Sequence, residues 1–143
     1  MILGGCTIPS DVSLVGHSDG DAIAHAVTDA VLGAAGVGDI GEMFADTDPR
    51  NRGRDSIEML RAAVARVHAI GWAVHNVDIT VVAERPRIGP YRDAIRSAIA
   101  AAVAVDPSAV CVKGKSNEGM GWIGRAEGLA CMAVASLAPA TRG

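Results

Sequence analysis

Apolar residues follow two distinct rhythms along this chain, and each rhythm predicts one kind of secondary structure. Helices are predicted over residues 19–35, 55–70 and 91–104, where apolar residues recur every three or four positions or form an Ala-rich run. We expect Asp55 to begin the middle helix and Gly71 to end it. The apolar stripe of that helix consists of Ile57, Leu60, Val64 and Val67.

Alternation of apolar and polar residues marks the expected strands. It predicts strands over residues 73–84 and 109–116, and residues 1–8 also look like a strand. Residues 127–138 combine alternation with an Ala content that suits a helix, and the alternation favours a strand. Residues 36–54 are a long loop rich in Gly, Asp and Pro, which in a small domain is often a lid or binding segment.

The order of these elements predicts the fold class. Strand, helix, helix, strand, helix, strand and strand follow one another within 143 residues, which suits a single domain over residues 1–143. We therefore expect an α/β (α+β) fold in which helices pack on one face of a mixed β-sheet.

Composition narrows the functional classes. Half of the residues are apolar and 20% are charged, which is too apolar for disorder, and no apolar run is long enough to span a bilayer. The net charge is −3 and there is no basic run, so we expect neither nucleic acid nor a membrane as a partner. The high apolar share suggests that some surface is buried against other subunits.

The cysteines favour a cytoplasmic protein. Cys6, Cys111 and Cys131 are widely spaced and odd in number, which indicates reduced thiols. The segment before Cys6 has neither a basic region nor a useful apolar stretch, so we do not expect a signal peptide.

The first predicted helix carries an unusual polar face. Asp21, His25 and Asp29 lie at positions i, i+4 and i+8, which aligns them, and the segment from His17 to Asp21 precedes them. A carboxylate one turn from an imidazole can hold the tautomer of a metal ligand. The segment therefore favours metal or phosphate chemistry, and the alternative is a capped helix start with a hydrogen-bonded histidine.

Two loops are further candidates. The carboxylates of residues 38–49 suit ribose hydroxyls or hydrated Mg²⁺, although a solvated acidic loop would look the same. Residues 113–119 leave a strand with two cations, a hydroxyl and open amides, which suits a phosphate. A solvated strand end is an equal alternative there, and the order of a Walker A loop is absent.

Several motifs together resemble one enzyme family. They are His17-Ser18-Asp19-Gly20-Asp21, His25, Thr28-Asp29, Leu32-Gly33, Gly38-Asp39-Ile40-Gly41, Phe44, Asp46-Thr47-Asp48-Pro49, Asn76-Val77-Asp78, Arg85-Pro86, Lys113 to Glu118, Gly124-Arg125 and Glu127-Gly128. In this order they resemble the 2-C-methyl-D-erythritol 2,4-cyclodiphosphate synthase family over nearly the whole chain.

The resemblance implies a homotrimer with active sites between neighbouring subunits. It implies the substrate 4-diphosphocytidyl-2-C-methyl-D-erythritol 2-phosphate, which cyclises with release of CMP in the non-mevalonate isoprenoid pathway. It also implies Zn²⁺ with a second divalent ion, Mg²⁺ or Mn²⁺.

The resemblance further implies the roles of individual residues. His25 is a metal ligand, and His17 and Ser116 stabilise the transition state. Asp21 and Asp29, by our own inference, orient His25. The residues that contact substrate are His17, Ser18, Asp39, Ile40, Gly41, Phe44, Ala45, Asp46, Thr47, Asp48, Ala83, Glu84, Arg85, Pro86, Arg87, Ile88, Gly89, Lys115, Ser116, Asn117, Glu118, Trp122 and Arg125.

One motif of the family is missing. Family members begin with a strand that carries Gly-x-Asp-x-His, whose Asp and His are zinc ligands, and no Asp-x-His occurs in this sequence. We therefore expect an N-terminally truncated chain that lacks this first strand. The alternatives are a catalytically impaired trimer that still binds cytidine nucleotides, and an unrelated Mg²⁺ phosphohydrolase.

Overall fold

The computed structural model describes residues 1–11 and 18–141. His17 and its predicted roles lie outside these residues. The five strands are β1 (Ile2–Leu3), β2 (Cys6–Thr7), β3 (Trp72–Val82), β4 (Val110–Lys115) and β5 (Ala130–Pro139). The α-helices are α1 (Ala22–Ala34), α2 (Ile40–Met43), α3 (Ser56–Ala69), α4 (Arg92–Val103) and α5 (Gly121–Gly124), and short 3-10 turns occupy Pro49–Asn51, Gly89–Tyr91 and Pro107–Ala109.

The main sheet is mixed, as predicted. Its order is β4-β3-β5, with β3 parallel to β4 and antiparallel to β5. In the register, Ile79 of β3 lies opposite Val112 of β4 and Ala133 of β5. Because β3 is central, its backbone is hydrogen-bonded to a strand on each side. Its C-terminal end is therefore rigid and fixes where the following loop begins.

One face of this sheet carries the helices. Val77, Ile79 and Val81 alternate along β3 and are almost completely buried, which agrees with the alternation that predicted this strand. Helices α1, α3 and α4 pack against one another and against the strands, and their apolar stripes fill the core. Burying each Leu or Ile side chain in such a core contributes about 1.5–3 kcal/mol.

The opposite face of the sheet has no helix on it in the part of the chain that the structure describes. Met132 and Val134 of β5 point outward there, with 60% and 71% of their surfaces exposed. The Lys113 ammonium contacts the Asp78 carboxylate at 3.1 Å on the neighbouring strands. Large exposed apolar side chains grouped on one face are typical of protein–protein contact surfaces.

The final segment forms a strand, which confirms the prediction for residues 127–138. The alternation of this segment was a better guide than its Ala content, which suited a helix. The inward Ala residues of the strand are small and allow α1 to pack closely against β5. The first segment differs from prediction. It is a hairpin in which Gly4 and Gly5 adopt φ values of +59° and +77°, conformations that favour glycine.

Asp21 joins this hairpin to α1. Its carboxylate accepts hydrogen bonds from the amides of Gly4 at 2.8 Å, Gly5 at 2.7 Å and Ala24 at 3.0 Å. The same side chain therefore caps α1 and holds the hairpin turn. The side chain is fully buried, and this burial raises its pKa against the opposing effect of the three hydrogen bonds. Asp21 therefore has a structural role that its helical spacing does not reveal.

No helix among residues 1–11 and 18–141 is long and apolar enough to cross a membrane.

Asp21→Ala is expected to lower the free energy of unfolding by about 2–4 kcal/mol, because it removes a helix cap and leaves two hairpin amides without an acceptor. Chemical denaturation monitored by circular dichroism measures this change. The control is Asp93→Ala, whose side chain is 90% exposed on α4. Equal stabilities of the two variants would contradict the role of Asp21.

Candidate active site

Many of the predicted site residues line two separate cavities. The histidine cavity has a volume of about 300 Å³ and is lined by Ser18, His25, Ile40, Gly41, Phe44, Asp46, Asn51 and Met59. The lysine cavity has a volume of about 480 Å³ and is lined by Ala83, Glu84, Arg87, Ile88, Gly89, Pro90, Arg92, Gly114, Lys115 and Ser116. The two linings share no residue, so one subunit presents the predicted site as two parts.

His25 lies on α1 with its ring held by two hydroxyls. Its Nε2 atom is 2.9 Å from Ser18 Oγ and 2.8 Å from Ser56 Oγ. The Ser56 hydroxyl also donates to the Asp19 carboxylate, so Ser56 links the His25 ring to Asp19. The histidine is thus oriented by a hydrogen-bonded chain that ends on a carboxylate.

Asp19 is the carboxylate at the end of this chain. Its Oδ2 atom also accepts from the Ser56 amide at 3.1 Å, and its Oδ1 atom accepts from the Asp21 amide at 3.1 Å. Burial raises the pKa of this carboxyl, but the hydrogen bonds from Ser56 and Asp21 outweigh burial, so its pKa lies below the usual range. Asp19 therefore stays ionised near neutral pH.

Asp21 and Asp29 lie on the same side of α1 as His25, but their hydrogen bonds go elsewhere. Asp21 binds the hairpin, and Asp29 Oδ1 accepts from the Ile40 amide at 2.8 Å, which fixes the start of α2. None of the described hydrogen bonds of either carboxylate reaches His25. In the structure, Asp19 and Ser56 take the orienting position that we predicted for Asp21 and Asp29.

Ser56 is a residue of this site that the sequence did not indicate. It is fully buried at the first position of α3 and lies 31 residues from His25 in the chain. The only signal at this position is a helix start, with Asp55 as its cap. Its contact with His25 depends on the packing of α3 against α1.

The acidic loop is braced by its own side chains. Asp39 caps α2 by accepting from the Glu42 amide at 2.8 Å. The Arg54 guanidinium lies 4.7 Å from the centre of the buried Phe44 ring and donates to Asn51. Asn51 in turn donates to the carbonyl of Ala45 at 2.9 Å. Phe44 is therefore held at the wall of the histidine cavity.

Asp48 forms an exposed ion pair in the same loop. Its carboxylate contacts the Arg50 guanidinium at 2.7 Å and also accepts from the Arg50 amide at 3.0 Å. These hydrogen bonds lower the pKa of Asp48 to about 2. The pair fixes the turn at Pro49–Asn51.

The lysine cavity lies at the ends of the parallel strands β3 and β4. Arg87, Arg92 and Lys115 line it and give it a positive charge. The Ser116 hydroxyl accepts from the Glu118 amide at 3.2 Å, which shapes the turn after β4. Cationic side chains beside a hydroxyl suit a phosphate. Of the two lysines expected at this loop, Lys115 lines the cavity, whereas Lys113 pairs with Asp78 instead.

Gly114 allows the segment between β3 and α4 to lie close to β4 at this cavity. A Cβ atom at this position would lie 2.9 Å from the Cβ atom of Ile88, too close without a shift of the segment between β3 and α4. The absence of a side chain at Gly114 therefore brings residues 83–89 next to the end of β4.

Other predicted substrate contacts lie outside both cavities. Arg85 pairs with Asp11 at 2.7 Å, and Arg125 pairs with Glu127 at 2.9 Å. Trp122 is 51% exposed beside the turn after β4. Their roles stay predictions.

The described residues do not by themselves form a metal site. No three His, Cys, Asp or Glu side chains within residues 1–11 and 18–141 come together in a way that holds a metal ion. A catalytic zinc needs about three protein ligands, and His25 supplies one nitrogen, which here faces two hydroxyls.

Comparison with known proteins identifies the family. The model of the YgbB family matches residues 1–138. The 2-C-methyl-D-erythritol 2,4-cyclodiphosphate synthase of Gemmatimonas aurantiaca is 62% identical over 137 residues, which cover 96% of this chain and 82% of that protein.

Solved structures agree. The bifunctional IspDF from Campylobacter jejuni superposes with a TM-score of 0.92 and 41% identity, over 96% of this chain and 37% of that longer chain. IspF from Plasmodium falciparum, solved as a CDP complex, gives a TM-score of 0.84 and 37% identity, over 97% of this chain and 83% of that chain.

These comparisons bear on the alternatives. They give no support to a catalytically impaired nucleotide-binding remnant or to an unrelated phosphohydrolase, because the matching proteins carry the name of the synthase. The chain belongs to the YgbB family, the family of 2-C-methyl-D-erythritol 2,4-cyclodiphosphate synthases.

Proposed function

We propose that this enzyme converts 4-diphosphocytidyl-2-C-methyl-D-erythritol 2-phosphate to 2-C-methyl-D-erythritol 2,4-cyclodiphosphate and CMP, as a CMP-forming lyase of isoprenoid precursor synthesis. The observation that carries this proposal is the match to named synthases over nearly the whole chain, together with a cationic cavity beside Ser116. The three free thiols support a cytoplasmic location.

The reaction needs charge stabilisation more than a base. An oxygen of the 2-phosphate attacks the β-phosphorus, the bond from that phosphorus to the oxygen bridging it to the α-phosphorus breaks, and CMP leaves with the electron pair. The nucleophile is already an anion, so no proton has to be removed from it. The protein must hold anions together and stabilise the transferring phosphoryl group, which is the usual requirement of phosphoryl transfer.

The lysine cavity is suited to the diphosphate and the nucleotide. Arg87, Arg92 and Lys115 line it and can offset phosphate charge, and the Ser116 hydroxyl can donate to an oxygen of the reacting phosphoryl group. One wall is formed by Ala83, Glu84, Arg87, Ile88 and Gly89, within the segment where the resemblance calls for the cytidine. A solved relative that binds CDP supports a nucleotide ligand of this kind.

The histidine cavity is suited to the sugar phosphate end and the ribose. Ser18 and His25 present a hydroxyl and an imidazole there, and Ile40, Gly41 and Phe44 form the wall. Residues 44–48 close this wall as the loop braced by Asn51 and Arg54. The family resemblance also calls for Zn²⁺ and Mg²⁺ or Mn²⁺, to which His25 would offer one nitrogen.

A homotrimer would unite the two cavities. One subunit carries the two parts of the site in cavities that share no lining residue, and a neighbouring copy can supply the missing part to each. The exposed sheet face with Met132 and Val134 offers an apolar surface for such an assembly. We therefore place the active site between subunits.

The first test measures CMP release directly. Purified protein, substrate and divalent cations are expected to yield CMP by chromatography and the cyclic diphosphate by phosphorus NMR. Ser116→Ala is expected to lower kcat about 100-fold, since one donor to the transition state is lost, while Ser116→Thr keeps most of the rate.

The control for this test is Ser97→Ala, which changes an exposed serine on α4. Release of inorganic phosphate instead of CMP, or an unchanged rate in Ser116→Ala, would reject the proposed reaction or the role of Ser116.

The second test is complementation between subunits. His25→Ala and Ser116→Ala damage different cavities, and a trimer that contains both variants has one complete site among its three if sites lie between neighbours. Trimers purified through two different tags are therefore expected to regain about one third of wild-type activity. Activity no higher than that of the single variants would mean that each site lies within one chain.

The third test addresses the sheet face. Val134→Lys places a charge beside Asp78, which lies opposite it on β3, so the isolated subunit should stay folded. Light scattering is expected to give about three times the chain mass for the wild type and the monomer mass for this variant. Ser97→Lys on the helix side is the matched control, and a trimeric Val134→Lys would exclude this face as the interface.

A further inference from the structure

The turn after β4 is held by a side chain from the neighbouring strand. Glu84 follows β3, and its Oε1 atom accepts from the amide of Asn117 at 2.7 Å and from the amide of Gly119 at 3.3 Å. These two bonds cross from one strand end to the loop that carries Ser116. They are additional to the backbone bond in which Ala83 donates to the carbonyl of Lys115 at 2.8 Å.

The turn itself is shaped to bind an anion. Glu118 and Gly119 adopt φ values of +53° and +73°, and this geometry directs the amides of Asn117 and Gly119 toward one oxygen. From the sequence, open amides of this loop were expected to bind a substrate phosphate. In the structure the anion at these amides is the carboxylate of Glu84.

Because Glu84 occupies the amides of Asn117 and Gly119, the side chains of this turn are the groups that remain to contact substrate. Lys115 and Ser116 line the lysine cavity, whereas Asn117 and Glu118 do not. Asn117 also donates through its side chain to the carbonyl of Met120 at 2.8 Å, which fixes the far end of the turn. The bonds to Glu84 thus join the turn to β3 immediately after Ser116.

We infer that Glu84 is a positioning residue that holds residues 115–119 against the end of β3, so that the Ser116 hydroxyl faces the lysine cavity. This inference rests on the proposed function for its catalytic consequence, but the attachment of the loop itself does not. Glu84 acts through its oxygen as an acceptor, and its negative charge opposes the cations Arg87, Arg92 and Lys115 that line the same cavity.

Two substitutions separate the acceptor from the charge. Glu84→Gln keeps an oxygen that can accept from both amides and removes the charge, whereas Glu84→Ala removes both. Hydrogen exchange of the Asn117 and Gly119 amides in the full-length protein, followed by NMR, is expected to speed up about 10-fold in Glu84→Ala and less than about 3-fold in Glu84→Gln. Exchange in β4 at Val112 should not change.

Kinetics give the second measurement. In Glu84→Ala we expect kcat for CMP release to fall about 10-fold or more, because the Ser116 hydroxyl is no longer held in place. In Glu84→Gln we expect kcat to stay near that of the wild type and KM to be equal or lower, because a carboxylate that repels the anionic substrate is gone. Asp93→Ala, which removes an exposed carboxylate on α4, should change neither quantity.

The outcomes separate this inference from the proposed function. Unchanged exchange at Asn117 and Gly119 in Glu84→Ala would overturn the inference, whatever the kinetics. Faster exchange in Glu84→Gln, equal to that of Glu84→Ala, would also overturn it, because charge and not the acceptor would then matter. Faster exchange in Glu84→Ala alone, in a protein that releases no CMP, would support the attachment of the loop and reject the proposed function.

Discussion

The parallel hydrogen bonding of β3 to β4 is the constraint on which the lysine cavity depends. Parallel strands end at the same edge of a sheet, so the residues after Val82 and after Lys115 emerge side by side. Gly114 permits close contact with Ile88, and Glu84 then joins the two emerging segments through backbone amides. Lys115 and the Ser116 hydroxyl are thereby held at the end of β4, and such fixed positioning is what phosphoryl transfer requires.

The histidine cavity is built on a different principle, the meeting of two helix starts. Asp21 caps α1 and binds the amides of the N-terminal hairpin. Ser56 is the first residue of α3, and its hydroxyl is hydrogen-bonded to Asp19 and His25. Carboxylates at helix starts are stabilised by the free amides of the first turn. The same bonds that begin the helices therefore orient the imidazole, so stability and the candidate site share residues in this region.

The two cavities give the proposed homotrimer a chemical role in addition to the burial of apolar surface. Under the proposed function, a substrate with a nucleotide at one end and a sugar phosphate at the other would occupy both cavities. On one subunit their linings share no residue. The open sheet face supplies the apolar surface that a second copy could cover. Function and oligomeric state would then depend on the same interface.

The sequence by itself determined the three long helices, the three strands of the mixed sheet and the family, because apolar periodicity and local motifs depend on neighbours in the chain. It also indicated His25, Ser116 and the acidic loop as candidates, since each lies in a compact motif. It did not determine the N-terminal hairpin, where a single strand was expected. It did not indicate Ser56 as a partner of His25, the hairpin contacts of Asp21 or the contact of Glu84 with Asn117. Those bonds join residues 31, 17 and 33 positions apart. Only the packing of helices and the pairing of strands bring such distant groups together, and a local pattern carries no record of that packing.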